Sequence, residues 1–312
     1  MQSEAHPAHH NSHWISTAQW KAFETTNTSA HRVCSIPGAW IERLGQDILI
    51  NHQTPNLLSH LLWDWKQRAE SYNFSPARIF NRPLPVQNTE RAAPTLLEGD
   101  ATLPMETLVS EGNVQYGLDF TAGYSVGLFL DQRANRAIVR EKVAKRVLNT
   151  FAYTCSFSVV AALAGAETLS VDLSRKSLDR GRANFSHNSL EPNQHRFVAD
   201  DVLEFLPRLA RRKELFDVII LDPPTFSRGN KGKRFRAEDD LQTLLNYALD
   251  VAAPEAKILL STNCTKLTTA ELERIAKISL KIARKSASTN QPPALPDFPP
   301  GTAASTLWLN LR

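Results

Sequence analysis

The sequence predicts an α/β fold: a doubly wound, mostly parallel sheet in residues 111–312, behind a smaller accessory region. Three observations carry this prediction. From about residue 112, short apolar runs alternate with stretches of helical period, and the strand-helix pair recurs five times. The runs are rich in Val, Ile and Leu, as strands covered on both faces must be. The chain is also long enough for a large core: 42% of its 312 residues are hydrophobic and 22% charged, yet no apolar run reaches the ~20 residues of a membrane span. This composition excludes a wholly disordered chain and a membrane-inserted one.

Taken in order, residues 1–30 are rich in His, Ser, Thr and Asn without periodicity and read as a loosely ordered leader. They lack the charged start and apolar core of a secretory signal, so a cytoplasmic chain is expected. His6, His9, His10 and His13 show no second shell that would make them a metal site, and no metal is assigned. Residues 31–110 form the accessory region, with a helix around Leu57, Leu58, Leu61, Leu62 and Trp65 and a strand at Arg78, Ile79 and Phe80. An irregular connection follows over 83–94. A strand is expected over 114–120 and an Arg-rich helix from Arg133. The strand-helix pairs then fall at 147–152 and 159–164, 168–171 and 176–188, 196–199 and 202–212, 216–221 and 239–251, and 256–261 and 270–284. The segment 306–311 reads as a final edge strand.

An open parallel sheet binds its ligand outside the carboxyl ends of the strands. Here those ends carry Tyr153-Thr154-Cys155-Ser156, Asp172, Asp200-Asp201, Asp222-Pro223-Pro224-Thr225-Phe226 and Thr262-Asn263-Cys264. An acid at the end of the second strand suits two ribose hydroxyls, although Asp is also a helix N-cap residue. No G-x-G-x-x-G follows the first strand, which argues against a pyrophosphate and an NAD oxidoreductase. Asp201, in preference to Asp200, can accept from an adenine amino group. Two prolines after Asp222 fix the backbone and remove two donors, leaving a rigid acceptor edge for a planar base. Phe226 can stack on that base or fill the core.

These segments, with Gly127-Leu-Phe-Leu-Asp131-Gln132-Arg133 and Phe151-Ala-Tyr-Thr-Cys-Ser-Phe-Ser, resemble the class I S-adenosylmethionine-dependent methyltransferases of bacterial 23S ribosomal RNA. Two branches of that family methylate cytosine C5 and guanine N7. The resemblance spans about residues 75–312. It implies a Rossmann-like seven-stranded domain, S-adenosylmethionine as methyl donor and RNA as partner. It also assigns Asp172 to the ribose, Asp201 to the adenine, Thr154 and Cys155 to the methionine part, and Asp131 and Arg133 to a segment closing over the cofactor. Two departures stand out: Cys155 where the family has glycine, so that its side chain would intrude on the backbone approach, and an amino-terminal region unlike the module fronting the cytosine branch.

The resemblance leaves the target base open. In the cytosine branch a cysteine past the fifth strand attacks C6, and Cys264 stands there beside Lys266, whose charge would favour the thiolate. The alternative is a buried, inert thiol, with Asp222 orienting a base whose nitrogen takes the methyl group directly. Cys34 and Cys155 read as structural, since three scattered cysteines make neither a disulfide framework nor a paired zinc site. Net charge is only +4, from 36 Lys and Arg against 32 Asp and Glu, but the excess is local. Arg228, Lys231, Lys233 and Arg234 follow the Asp-Pro-Pro segment and suit phosphates, with Arg208, Arg211, Arg212 and Lys213 on a neighbouring helix end. Competing readings are methylation of a small molecule or protein, and a cofactor-binding RNA-binding protein with little catalysis. The oligomeric state is left unassigned.

Overall fold

In the computed structural model, which describes residues 12–85, 92–141, 144–228 and 234–312, the chain divides into two units. One is Met1–Leu130 with Leu295–Pro299, the other Asp131–Ala294 with Pro300–Arg312. In the first, β1 (His13–Trp14) and α1 (Thr17–Thr25) occupy part of the segment expected to be a loose leader. The Ser16 hydroxyl accepts from the Gln19 N–H at 3.1 Å and the Gln19 side chain accepts from the Ser16 N–H at 2.7 Å. This capping box starts the helix, and buried Trp20, stacked on Tyr72, anchors it. Strands β2 (Ala30–Ile36), β3 (Ala39–Leu44) and β4 (Asp47–His52) form an antiparallel meander. Helix α2 (Pro55–Arg68) begins on the Thr54 cap with proline in its first turn, and places β5 (Arg78–Pro83) parallel to β4. With β6 (Thr95–Gly99) these make a six-stranded sheet in chain order.

A separate hairpin, β7 (Glu106–Glu111) and β8 (Val114–Asp119), also belongs to this unit. The Ser29 N–H donates to the Ser110 carbonyl and the Ser110 N–H to the Ser29 hydroxyl, both at 2.9 Å. The boundary between units therefore follows Leu130. Two adjacent serines on distant segments make that link, and nothing local announces it.

The second unit opens with α3 (Arg133–Glu141) and continues through β9 (Arg146–Thr150), α4 (Ser156–Leu163), β10 (Glu167–Asp172), α5 (Arg175–His187), β11 (Arg196–Ala199) and α6 (Val202–Arg211). Then come β12 (Phe216–Leu221), the short hairpin β13 (Phe226–Arg228) and β14 (Arg234–Arg236), α7 (Ala237–Asp250), β15 (Ala252–Thr262), α8 (Thr269–Ala283), β16 (Ala287–Asn290) and β17 (Ser305–Leu311). The sheet has seven strands in the order β11-β10-β9-β12-β15-β17-β16, the Rossmann-like α/β architecture expected. Within this sheet β11, β10, β9, β12 and β15 pair in parallel, and β17 pairs antiparallel with both β15 and β16. Strand order reverses between β9 and β12, so a crevice opens at their carboxyl ends.

The expected edge position of the last strand is corrected. β17 lies between β15 and β16, and Leu307, Trp308 and Leu309 are at most 1% exposed. A continuous apolar run belongs inside a sheet, whereas the short polar β16, Ala-Ser-Thr-Asn, suits the edge. Ile219 of β12, Ile258 of β15, Leu244 of α7 and Leu272 of α8 are fully buried in one core. Among the described residues no helix is long and apolar enough to cross a membrane.

Candidate active site

The loop leaving β9 is strained and braced. Phe151, Tyr153 and Cys155 all have positive φ, at 50°, 47° and 60°. Left-handed non-glycine residues cost on the order of 1 kcal/mol each and persist where their surroundings over-determine them. The Ala152 N–H donates to the Val171 carbonyl at 3.0 Å, the Tyr153 N–H to Asp172 Oδ2 at 2.8 Å, and Asn184 Nδ2 to the Thr154 carbonyl at 2.9 Å.

Asp172 ends β10 beneath this loop. Its second oxygen accepts from the Ser174 N–H at 2.8 Å, while the N-cap of α5 is Ser174, so the cap reading of Asp172 is not needed. Burial raises its pKa, against the pull of the two N–H groups. Each carboxylate oxygen accepts one N–H and retains lone-pair capacity, which two vicinal hydroxyls can use. At the next strand end, Asp200 is committed to the Arg208 guanidinium and accepts the Asp201 N–H. Arg208 is thereby engaged within its own unit. Asp201 caps α6 by accepting the Leu203 N–H on Oδ1 at 2.9 Å, which leaves Oδ2 outside the cap.

Cys155 does not intrude as expected. Its side chain is fully buried, with Sγ 3.7 Å from the Tyr153 carbonyl, and burial pushes the thiol up to about 12. The space it fills exists because residue 181 on α5 is glycine: a Cβ there would lie 2.4 Å from Cys155 Sγ. A glycine across the gap thus makes room for the cysteine of this loop.

Across the crevice, Asp222 leaves β12 half-buried, followed by buried Pro223 and exposed Pro224. Burial, with the Asp131 carboxylate beside it, pushes the Asp222 carboxyl up to about 7, against the Ser261 hydroxyl and the Arg136 guanidinium. Asp131 accepts from the Ala304 N–H at 3.2 Å, and Arg133 opens α3, half-buried. Three buried residues the sequence reading did not single out stand behind this carboxyl: Asn135, Arg136 and Ser261, at 1%, 1% and 0% exposure. Asn135 and Arg136 follow Gln132 within one helical turn, a spacing visible in the sequence, but nothing there shows that this polar face turns inward.

Cys264 follows β15 and is 3% exposed. Its Sγ donates to Glu238 Oε1 at 3.7 Å, and Lys266 pairs with the other oxygen of Glu238 at 3.0 Å. The ammonium expected to stand beside the thiol is thus paired with a carboxylate that also meets Cys264 Sγ. By contrast Phe226 is 45% exposed, on the face of β13 whose cross-strand partner is Arg236. On β14 buried Phe235 packs on Phe151, 5.4 Å between rings, while Arg234 and Arg236 are exposed on either side. Of the basic loop, Lys231 and Lys233 lie outside the described residues, as does the Arg228 side chain.

These groups suit a cationic, phosphate-free nucleoside. Asp172 offers acceptors for a ribose, Asp201 Oδ2 an acceptor for an amino group, and Asp131, with Asp222 once ionised above about pH 7, negative charge for a sulfonium or ammonium. No cluster of metal-ligating side chains occurs among the described residues.

Residues 49–310 match the family described as S-adenosylmethionine-dependent methyltransferase. Among curated proteins, the chain is 42% identical over 159 residues to YwbD of Bacillus subtilis, named as a candidate ribosomal RNA large subunit methyltransferase. It is 38% identical over 172 residues to ribosomal RNA large subunit methyltransferase I of Tolumonas auensis. The matches cover 50% and 54% of this chain but only 40% and 43% of those proteins. The fold is that of SMU.776, a methyltransferase candidate solved with SAH, with a TM-score of 0.77 at 23% identity over 95% of this chain and 82% of that one.

Proposed function

The chain belongs to the S-adenosylmethionine-dependent methyltransferase family, and from that premise we propose that it methylates a base of RNA, with large-subunit ribosomal RNA as substrate. The observation that carries this reading is Phe226, an exposed aromatic ring two residues past the rigid Asp222-Pro223-Pro224 edge and paired across the hairpin with exposed Arg236, on the strand that also exposes Arg234. An aromatic face, a carboxyl and a basic hairpin at one strand end suit an unstacked base and its phosphates. The names of the relatives support large-subunit ribosomal RNA.

When bound, S-adenosylmethionine supplies an electrophilic methyl group on a sulfonium. Asp172 accepts the ribose hydroxyls, and Asp201 the adenine amino group. Thr154 and Cys155 shape the floor through the backbone of their strained loop. Asp131 and Arg133 lie at the start of α3, where Asp131 adds negative charge beside Asp222. Asp222, ionised above about pH 7, accepts an N–H of the base and holds it on the Pro223-Pro224 edge with Phe226 against its face. Arg228, Lys231, Lys233 and Arg234 supply phosphate contacts.

The surroundings of Cys264 favour transfer to a ring nitrogen, guanine N7 in the first place, over a covalent route at cytosine C5. Cys264 is buried, and its Sγ meets Glu238, whose other oxygen takes the Lys266 ammonium that a cysteine nucleophile there would use. The test is incubation with methyl-labelled S-adenosylmethionine and unmodified ribosomal RNA, followed by nucleoside chromatography. Label in 7-methylguanosine, unaffected by Cys264→Ser, is expected. Label in 5-methylcytidine that Cys264→Ser abolishes would overturn the nitrogen route. No label in any nucleoside, from protein that binds the cofactor, would overturn the RNA reading.

A further inference from the structure

A group of cations stands at the opposite end of the second unit's sheet from Asp172 and Asp222. Helix α6 is capped by Asp201 at the carboxyl end of β11 and leads into β12, a strand parallel to its neighbours, so its last turn lies at the amino ends of these strands. Arg211, Arg212 and Lys213 end that helix and are exposed. Arg208, one turn earlier, is engaged by Asp200 and does not join them. The turn into β12 draws two more cations to the same end: Glu214 pairs with Arg146, the first residue of β9, at 3.2 Å and with Arg196, the first residue of β11, at 2.5 Å. Asp217 Oδ2 accepts the N–H groups of Lys145 and Arg146, both at 2.8 Å, and so fixes exposed Lys145 beside them. Glu214 and Asp217 are thereby engaged, and Glu167, the first residue of β10, is the carboxylate left over at these strand starts. The side chains of Lys145, Arg211, Arg212 and Lys213 make no hydrogen bond or ion pair among the described residues. A helix C-terminus gains from a nearby cation, but three in succession repel one another, and the described residues supply no counter-charge to them.

We propose that Arg211, Arg212 and Lys213, with Lys145 and Arg196 beside them, are a second phosphate-binding surface for the RNA, at the far end of the sheet from the target base. The inference rests on the reading that the substrate is RNA. Strand β12 is six residues long, about 20 Å at ~3.3 Å per residue, so the two ends of the sheet are at least that far apart. Each strand of a duplex carries a phosphate about every 3.4 Å along the axis, so roughly six or more base pairs beside the target base are needed to reach the cations. The substrate is therefore a folded RNA with a stem of that length. Phosphate contacts fix register and orientation without reading sequence, so this surface sets how tightly a large RNA is held and leaves the choice of base to the residues around Asp222.

The test compares the full chain with a variant carrying Arg211→Gln, Arg212→Gln and Lys213→Gln. One substrate is a full-length transcript of unmodified large-subunit ribosomal RNA, and the other a hairpin with a stem of about four base pairs cut around the nucleotide that takes the label. With the transcript, Kd and KM should rise about 10- to 30-fold at about 0.1 M salt, and the slope of log affinity against log salt should flatten by about 2–3. Both kcat and S-adenosylmethionine affinity should stay unchanged. With the short hairpin the variant should match the parent. A control carrying Arg274→Gln, Lys277→Gln and Lys281→Gln removes the same formal charge from exposed positions on α8 and should leave the Kd for the transcript where it was. An unmoved Kd and salt slope in the folded variant overturns the proposal, and so does an equal loss on the short hairpin or in the control. Should the triple variant fail to fold, Arg211→Gln with Arg212→Gln answers the same question through a slope change of about 1–2. Transcript binding that the triple variant alone weakens, without label in any nucleoside, would overturn the function reading alone. Normal methylation with an unmoved Kd and slope would overturn the second surface alone.

Discussion

Replacing Gly181 by alanine tests whether the cofactor loop depends on a gap across from Cys155. On an ordinary helix this change adds about 1 kcal/mol of stability through backbone entropy. Here the new Cβ would sit 2.4 Å from Cys155 Sγ and 3.0 Å from Cys155 Cβ, against the ~3.5–4 Å of normal contact. Overpacking of a buried site costs about 1–3 kcal/mol, so the net expectation is a loss of up to ~2 kcal/mol. Cys155→Gly removes the obstructing sulfur and relieves the residue's φ of 60°, a gain of ~1 kcal/mol that offsets the lost burial. In the double variant the alanine methyl occupies the vacated space and the helix keeps its propensity gain, so the cycle should show coupling of about 1–3 kcal/mol. Urea unfolding of the four proteins measures it. Calorimetric titration with S-adenosylmethionine runs beside it, and Gly181→Ala should bind more weakly because Tyr153 and Cys155 must shift. Single-variant effects that add to within ~0.5 kcal/mol would refute the reasoning.

Asp172→Ala should weaken S-adenosylmethionine binding by about 100-fold or more, since two charge-assisted bonds to hydroxyls are lost at ~1.5–3 kcal/mol each; an ordinary titration would remove Asp172 from the site. Phe226→Ala should raise the Kd for RNA by roughly 5- to 100-fold, the ~1–3 kcal/mol of one stacked base, and leave cofactor affinity alone; equal losses for both ligands would mean the ring supports the loop instead. The pH dependence of stability carries the sign of Asp222. Its folded value, about 7, lies above the ordinary 3.8, so between these pH values the native protein holds a proton the unfolded chain has released, and stability falls as pH rises through that window. Asp222→Asn cannot ionise, so its melting temperature should exceed the parent's by a few degrees at pH 8 and by much less at pH 4. A variant that melts lower at pH 8 than at pH 4 relative to the parent would contradict the raised value.

Much of the second unit was legible because its signals are local. A central strand covered on both faces is a mostly apolar run, so 216–221 coincides with β12. The residue after each run necessarily stands at the ligand side of a parallel sheet, which is why Asp172, Asp201 and Asp222 could be chosen without coordinates. The first unit was less legible. Its short strands β6 and β7 carry Glu, Thr and Ser among few apolar residues and gave no clear period. Helix α1 was masked by the polar residues around it, although Ser16 and Gln19 stand at capping-box spacing. The last strand was placed at an edge because chain order was read as spatial order.

The sequence by itself determined the alternation of strands and helices, the acids at the strand ends and the aromatic beside a basic run. Each of these depends on residues a few positions apart. Only the tertiary structure decided which way the buried side chains face. Cys155 turns inward because Gly181, on another helix, leaves space for its sulfur. Cys264 loses its activating ammonium because Glu238 on α7 reaches both it and Lys266. The polar face of α3 is buried because Ser261 and Trp308, 129 and 173 residues from their partners Gln132 and Asn135, complete its hydrogen bonds. Buried polar groups are tolerated only when such partners are supplied, and a fold that brings distant strands together is what supplies them.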